Sequence, residues 1–351
     1  MDINVTDSFI SPRAYRFLLL ASVLCAALFC PGTSLAEETA LQRFAFEEPC
    51  MGTLFRVVLF APNERVATAA ARAAFDRIEL LDAMMTDYNE SSELMRLCAG
   101  AGGPAVHVSD EIFDVLVRAK EFNTTTRGAF DVTVGPVVRV WRKARKEKTL
   151  PDPGELAKAK ALVGMSNVLL DEKTHCVRLA LPGMKLDFGG IAKGYAVDQA
   201  LALLKQRGFP NALVVGGGDV GVGEPPPGKG WTVDVKSLNT SEKEPVRLLL
   251  KNAGVSTSGD AEQHLDANGK RYSHIIDPKT GKAIEGRSSV TLVAPNCTTS
   301  DALAKTGVLG IDAAIDVINA TPGAAVFIMI EDAAGVRTHE STSWKAVPKV
   351  K

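Results

Sequence analysis

The order in which helical and strand-like patterns follow one another constrains this chain more than any single motif. Apolar residues at Val66, Ala70, Ala74, Ile78 and Leu81 line one face of a helix predicted over 63–85, with Asn63 as its cap. Ser109, followed by Asp110 and Glu111, opens a second helix to Phe122. Residues 153–163 read as a third, and 190–207 as a fourth, closed by Gly208. Short β-branched runs occupy 167–170, 177–181, 212–215, 231–235, 246–251, 290–294 and 325–330, with a helical stretch over 299–320 between the last two. Asn268-Gly269 is a hairpin signal leading into 271–276. A doubly wound parallel sheet needs regular strand–helix–strand alternation, which this order lacks. The expected class is α+β, with mixed or antiparallel sheets flanked by helices in a single integrated domain.

The first residues are not expected to join that domain. Arg13 and Arg16 precede an apolar run from Phe17 to Phe29, shorter than the roughly 20 residues a membrane-spanning helix needs. Ser34-Leu35-Ala36 has the small-x-small form that a signal peptidase cleaves. Neither Cys25 nor Cys30 follows the small residue of a lipoprotein signal. We therefore expect a signal peptide over 1–36, an N-terminal extension over 37–47, a folded domain over 48–345, and an exported, periplasmic protein. Cys50, Cys98, Cys176 and Cys297 lie beyond the cleavage point at wide, irregular spacings that do not form a zinc site. Disulfides and buried thiols both remain open for them. Lys and Arg number 40 against 41 Asp and Glu, so no field of one sign exists to hold a nucleic acid.

Five segments carry residues that could bear chemistry. Gly216-Gly217-Gly218-Asp219-Val220-Gly221 has the spelling of a dinucleotide fingerprint, but it runs into Val222-Gly223-Glu224 and three prolines, where no helix can begin to hold a pyrophosphate. In Leu186-Asp187-Phe188-Gly189-Gly190-Ile191-Ala192-Lys193-Gly194-Tyr195, a strand ends in a carboxylate and a helix opens with a lysine in its first turn. The helix N-terminus is already its positive end, so an ammonium there is poorly placed unless an anion joins it. The bland alternative is a solvated Lys193 beside two packing glycines. His274 leaves an apolar run three residues before Asp277, and is either a base or a satisfied polar group at a strand end. Gly254-Val255-Ser256-Thr257-Ser258-Gly259-Asp260 reads as a glycine-bounded loop of hydroxyls and an acid, suited to phosphate oxygens but common in turns, and Asp301 as either a Mg²⁺ ligand or a helix-dipole partner.

Taken in order, these segments resemble the FAD:protein FMN transferases, the ApbE family. The resemblance starts at Met51-Gly52-Thr53 and passes through Met85-Thr86-Asp87-Tyr88, Ser92-Glu93-Leu94 and Gly128-Ala129-Phe130-Asp131-Val132-Thr133-Val134-Gly135-Pro136. It continues in the lysine-bearing segment, Gly217-Gly218-Asp219, Ser256-Thr257-Ser258-Gly259, His274-Ile275-Ile276-Asp277-Pro278 and Ser300-Asp301-Ala302-Leu303. It implies an ApbE-like (T-fold-like) fold and an exported, Mg²⁺-dependent enzyme that splits FAD. Such an enzyme places FMN on a Thr or Ser hydroxyl and releases AMP. The acceptor would be a subunit of a membrane redox complex or an exported flavoprotein, with membrane contact only through that partner. It further implies FAD-site residues Met51, Tyr88, Ala129, Phe130, Asp131, Asp187, Lys193, Thr257 and Ile275, catalytic His274 and Asp277, and metal ligands Ala192 (through its carbonyl), Asp301 and Thr306.

Two departures stand out. Val132 replaces the family's usual proline. Where the family carries a metal-facing threonine four residues after the aspartate (three in one branch), this chain has Lys305 and Ala304, and Thr306 comes one residue late. On a regular helix, position i+4 lies roughly 40° from Asp301 and i+5 roughly 140°. Lys305 is therefore expected to project its ammonium beside Asp301 and to weaken Mg²⁺ binding. The rival readings are an FAD pyrophosphatase that yields FMN and AMP, and an exported FAD-binding protein without turnover.

Overall fold

Thr53–Ala61 shows how the sheet is made: Phe55, Val57, Leu59 and Ala61 alternate along it and are fully buried. A computed structural model describes residues 40–226, 230–235, 238, 246–259, 264–332 and 335–350. The signal peptide expected over 1–36, the start of the extension (37–39) and Asp260 lie outside these residues. The chain opens with strands β1 (Gln42–Cys50) and β2 (Thr53–Ala61) and helices α1 (Glu64–Met85) and α2 (Glu93–Ala99). Strand β3 (Val106–His107), helices α3 (Asp110–Thr125), α4 (Gly135–Glu147) and α5 (Pro153–Lys160), hairpin β4 (Val168–Asp171) and β5 (Cys176–Leu179), and helix α6 (Ala192–Gln206) follow. The next nine elements are strands: β6 (Ala212–Gly216), β7 (Asp219–Val222), β8 (Trp231–Asp234), β9 (Arg247–Leu250), β10 (Ala253–Gly259), β11 (His264–Ala267), β12 (Lys270–Ile276), β13 (Ala283–Glu285) and β14 (Arg287–Ala294). Helices α7 (Cys297–Leu303) and α8 (Ile311–Asn319) and strands β15 (Ala325–Asp332) and β16 (Gly335–Glu340) complete the order.

Eight strands form one sheet in the order β1-β2-β6-β7-β10-β14-β15-β16, antiparallel at every pairing. Three small sheets (β11-β12-β13, β3-β5-β4 and β8-β9) sit around it. This is the α+β arrangement expected from the irregular order of patterns. Helices α1, α6 and α7 cover one face, where Val57, Leu59 and Val214 meet Ala70, Ala74, Ile78, Val197 and Ala200. Many of those helix residues are alanines, which lets the helices lie close to the strands. The other face packs Val255 and Val293 against Trp231, Val233, Leu248 and Trp344. Consecutive residues of β14 divide between the two: Leu292 and Ala294 face helices, Val293 the β8–β9 hairpin.

Three expectations change. Residues 254–259 are not a loop but the central strand β10, and small residues are needed there because α7 crosses so closely. A Cβ on Gly254 would fall 2.3 Å from the backbone carbon of Asn296. The helix expected over 299–320 breaks in two. Helix α7 stops at Leu303, residues Ala304–Leu309 tighten into a 3-10 turn, and Gly310 takes φ 84° before α8 starts. The sheet also takes up the chain from Gln42, within the stretch expected to be an extension. All four described cysteines are free thiols, and Cys50, Cys98 and Cys297 are buried.

Candidate active site

The lysine-bearing segment builds its turn from its own backbone. Asp187 donates its N–H to the Val132 carbonyl at 2.8 Å, Oδ1 of its side chain accepts from the Gly189 N–H at 2.7 Å, and Ile191 and Ala192 both donate to the Phe188 carbonyl. Helix α6 then starts at Ala192, with Lys193 in its first turn. Lys193 is not the solvated residue of the bland reading. Its Nζ lies 3.3 Å from Asp219 Oδ2 and 3.6 Å from Asp301 Oδ2, and donates to the Gly189 carbonyl at 3.4 Å. Gly194 permits this, because a Cβ there would stand 2.3 Å from the Cys297 carbonyl oxygen. Its N–H donates to Asp301 Oδ2 at 3.2 Å, so the backbone of α6 grips the carboxylate of α7.

Helix α7 is held at its start by two caps. Asn296 Oδ1 accepts from the Thr299 N–H at 2.8 Å, and Asp198 of α6 accepts from the Cys297 and Thr298 N–H groups at 2.8 and 2.7 Å. One turn later Asp301 is fully buried, and Lys305 Nζ donates to its Oδ1 at 2.9 Å, to its carbonyl at 3.2 Å and to Ser258 Oγ at 2.7 Å. Asp219, at the start of β7, is also buried, and its Oδ2 has Lys193 beside it but no hydrogen bond of good geometry. Two carboxylates and two ammoniums thus form one neutral cluster. Burial opposes the charge on Asp301, but Lys193 and Lys305 outweigh it and hold its carboxyl below the ordinary range. For Asp219, burial and the neighbouring Asp301 win over the two lysines, and its pKa rises. Burial also opposes the charge on Lys193, yet Asp301 and Asp219 raise it above an ordinary lysine.

A second cluster stands on the other side of Asp187. Arg142 of α4 bridges Asp187 Oδ2 at 3.0 Å and Asp87, and its guanidinium carbon lies 4.7 Å from the centre of the Tyr88 ring. Tyr88 is 81% exposed, which leaves its outer face open to a flat ligand. Asp131 accepts from the N–H and hydroxyl of Thr133 at 2.8 and 2.5 Å, and burial raises its pKa in spite of those bonds. Ala129 and Phe130 are buried, and a Cβ on Gly190 would touch the Phe130 ring at 3.3 Å and the Lys305 stem at 3.4 Å. Met51 turns the β1–β2 hairpin with φ 51°, its N–H donating to Asp82 Oδ2 at 2.8 Å. Gly217 meets Thr53 of the same hairpin, so Met51 and Asp219 lie at one end of the sheet.

Other residues proposed from the sequence are placed differently. Thr257 has the wrong parity: its hydroxyl pairs with Thr291 of β14 at 3.1 Å, while Ser256 and Ser258, one residue either side, face α7. The hydroxyl that reaches the cluster is that of Ser258. Thr306 is buried and donates to the Leu303 carbonyl at 2.8 Å, leaving the place beside Asp301 to Lys305. Asp277 uses its carboxylate in the turn after β12, accepting from the Lys279 N–H at 2.8 Å and the Thr280 hydroxyl at 2.7 Å, so it is a turn former rather than a partner acid. His274 and Ile275 belong to β12, which packs against the 3-10 turn carrying Lys305. Ile275 is buried, its N–H donating to Ser273 Oγ at 3.1 Å. The sequence reading missed Asp219 and Arg142 as site residues.

The donors here do not fit a Mg²⁺ ion. Asp301 Oδ1 is taken by an ammonium, Oδ2 by a backbone N–H and a second ammonium, and the Thr306 hydroxyl is spent inside its own turn. Ala192 opens α6 beside this cluster, but its carbonyl alone does not make a cation site. Among the described residues, no group of three or more His, Cys, Asp or Glu side chains is arranged to hold a metal.

Known proteins repeat this architecture. The model of the ApbE family matches residues 51–328. This chain belongs to the ApbE family. All the site residues named above, from Met51 to Thr306, fall inside that match. Among its relatives, the FAD:protein FMN transferase of Haemophilus influenzae is 32% identical over 95% of this chain and 99% of its own length. That of Salmonella typhimurium is 31% identical over 93% and 96%. The flavin transferase ApbE of Vibrio cholerae superposes with a TM-score of 0.79 at 27% identity, covering 88% of this chain and 99% of its own. The ApbE protein of Thermotoga maritima gives 0.78 at 31% identity, covering 88% and 100%. As a member of the ApbE family, the chain is an enzyme.

Proposed function

We propose that this protein moves FMN from FAD onto a threonine or serine hydroxyl of an exported or membrane redox protein. The hydroxyl oxygen bonds to the flavin-side phosphorus, the bond from that phosphorus to the AMP oxygen breaks, and AMP leaves with the electron pair. The hydroxyl proton passes to His274, a residue type that accepts protons near neutral pH and is typically worth about 10²–10⁴-fold in such a role. Phosphoryl transfer asks mainly for positioning and for charge beside the phosphates. Lys193 and the positive end of the α6 dipole meet that need at one helix mouth. Tyr88, with Arg142 behind it, offers a flat face for a ring system. Near-complete alignment with FAD:protein FMN transferases is the observation that supports the reading most.

The finer parts of the proposal are the acceptor and the compartment. Export is proposed from the leader read in the sequence over 1–36, ahead of a domain whose sheet begins at Gln42, and N-terminal sequencing of protein from a periplasmic extract should begin at Glu37. For the reaction, the chain from residue 37 is incubated with FAD and a candidate flavin-acceptor subunit, with and without Mg²⁺, and the acceptor is examined by mass spectrometry. A covalent FMN adduct on a Thr or Ser is expected. Free FMN with no adduct would favour the pyrophosphatase, and intact FAD would favour a binding protein without turnover.

A further inference from the structure

We propose that the ammonium of Lys305 is a built-in cation that stands where a divalent metal would sit, so that this chain holds no Mg²⁺ at Asp301. The part of the proposal that concerns flavin chemistry rests on the function proposed above; the part that concerns metal binding does not. An ammonium carries three donors. Lys305 Nζ has an oxygen for each: Asp301 Oδ1 at 2.9 Å, Ser258 Oγ at 2.7 Å and the Asp301 carbonyl at 3.2 Å. That is an oxygen cradle of the kind a hard cation uses, filled by the protein's own side chain.

The stem is seated as firmly as the head. A Cβ on Gly190 would meet Lys305 Cε at 3.4 Å and Cγ at 3.7 Å as well as the Phe130 ring, so the aliphatic chain is packed between the α6 turn and an aromatic. The side chain of Lys305 is 18% exposed and that of Asp301 2%. Charge argues the same way. With Lys193, Lys305, Asp219 and Asp301 the cluster sums to zero, so an incoming Mg²⁺ would meet two ammoniums and find both oxygens of Asp301 engaged. The 3-10 turn after α7 completes the arrangement by burying Thr306 and spending its hydroxyl on Leu303. The charge of the two FAD phosphates would then be met by Lys193, by the nearby ammonium of Lys305 and by the positive end of α6, without a metal ion.

Calorimetric titration of MgCl₂, and separately MnCl₂, into the metal-stripped chain from residue 37 tests the metal half directly. The wild type is expected to give no binding below the millimolar range, and micromolar binding would overturn the proposal. Lys305→Thr empties the cradle and leaves the cluster one charge negative. It is expected to bind either metal at least about tenfold more tightly than wild type, the gain a hard cation makes from a freed carboxylate. Equal affinity in the two proteins would overturn the proposal. Thermal melting checks that the variant is folded, and the wild-type titration stands without it. FAD binding to wild type, followed by flavin fluorescence, is expected to be the same in EDTA as in Mg²⁺, whereas binding that requires Mg²⁺ would overturn the proposal. FAD that binds under neither condition defeats the flavin function instead, and the metal titration still decides the role of Lys305.

Discussion

Asp187 lies in the turn that leads into α6 and Asp301 on α7 against the first turn of α6, and their surroundings drive them in opposite directions. Asp301 is buried and the Asp187 side chain nearly so, and desolvation alone would raise both pKa values. Asp301 shares two ammoniums with Asp219, and its carboxyl falls below the ordinary range. Asp187 shares one guanidinium, Arg142, with Asp87, and its pKa rises: burial comes first, and Asp87 works against the help from Arg142. Both ammoniums stand within ion-pair distance of Asp301. Among the described residues Asp219 has only Lys193 that close, and Asp187 shares Arg142 with Asp87. That difference decides which carboxylate is held as an anion. The difference suits two tasks. The lysine side is a fixed set of point charges, and the arginine side a flatter wall with an open aromatic ring.

Removing one member from each side is the strongest way to break this comparison. Asp301→Ala strands two half-buried ammoniums beside a single carboxylate and should cost about 2–4 kcal/mol in urea unfolding. A loss under 1 kcal/mol would show that the lysines swing out to water and that the cluster is not fixed. Arg142→Ala should cost less, about 1–3 kcal/mol, since its two acids keep some contact with solvent. Arg142→Lys should recover under half of that loss, because an ammonium lacks the planar fork that reaches two carboxylates at once. Full recovery would mean that only charge matters on that side.

The pH dependence sharpens the contrast and is the smallest effect. Asp301 has a lowered pKa, so its contribution is present above the ordinary aspartate range and is lost as pH falls through the lowered value. Asp187 has a raised pKa, so the folded state binds its proton more tightly than the unfolded chain does. Its contribution grows as pH falls from neutral through the raised value and is lost as pH rises again. Asp187→Asn should therefore remove a gain in stability on mild acidification, whereas Asp301→Asn should remove a loss at lower pH. Urea midpoints measured from pH 7 down to pH 3 check both signs, and slopes of the same sign would abolish the distinction.

What was legible in the sequence was local. Helix α1, with its Asn63 cap, and α3, capped by Ser109, form where periodicity and cap residues predict. The turn from Asp187 into α6 is written in consecutive residues, and Lys193 and Asp301 could be named from it and from the Asp-Ala-Leu-Ala segment. Helix α4 carried a signal that was passed over: Pro136 in its first turn and Val137, Trp141 and Ala144 on one buried face. Reading that helix would have brought Arg142 into view. Strand parity misled at β10, where a run of small polar residues resembles a loop and only pairing with β7 and β14 shows which hydroxyls point at α7.

By itself, then, the sequence determined the class of fold, the helix caps and the lysine in a helix's first turn, because each depends on residues within a few positions of one another. Tertiary structure alone decided that Lys193 is half-buried against two carboxylates, that Asp219 joins it, that Ser258 and not Thr257 reaches the cluster, and that Thr306 turns away. Those outcomes depend on strand pairing, on how closely two helices can approach across Gly194, and on the balance of charges brought from three separate stretches of chain. None of these quantities is carried by any one segment.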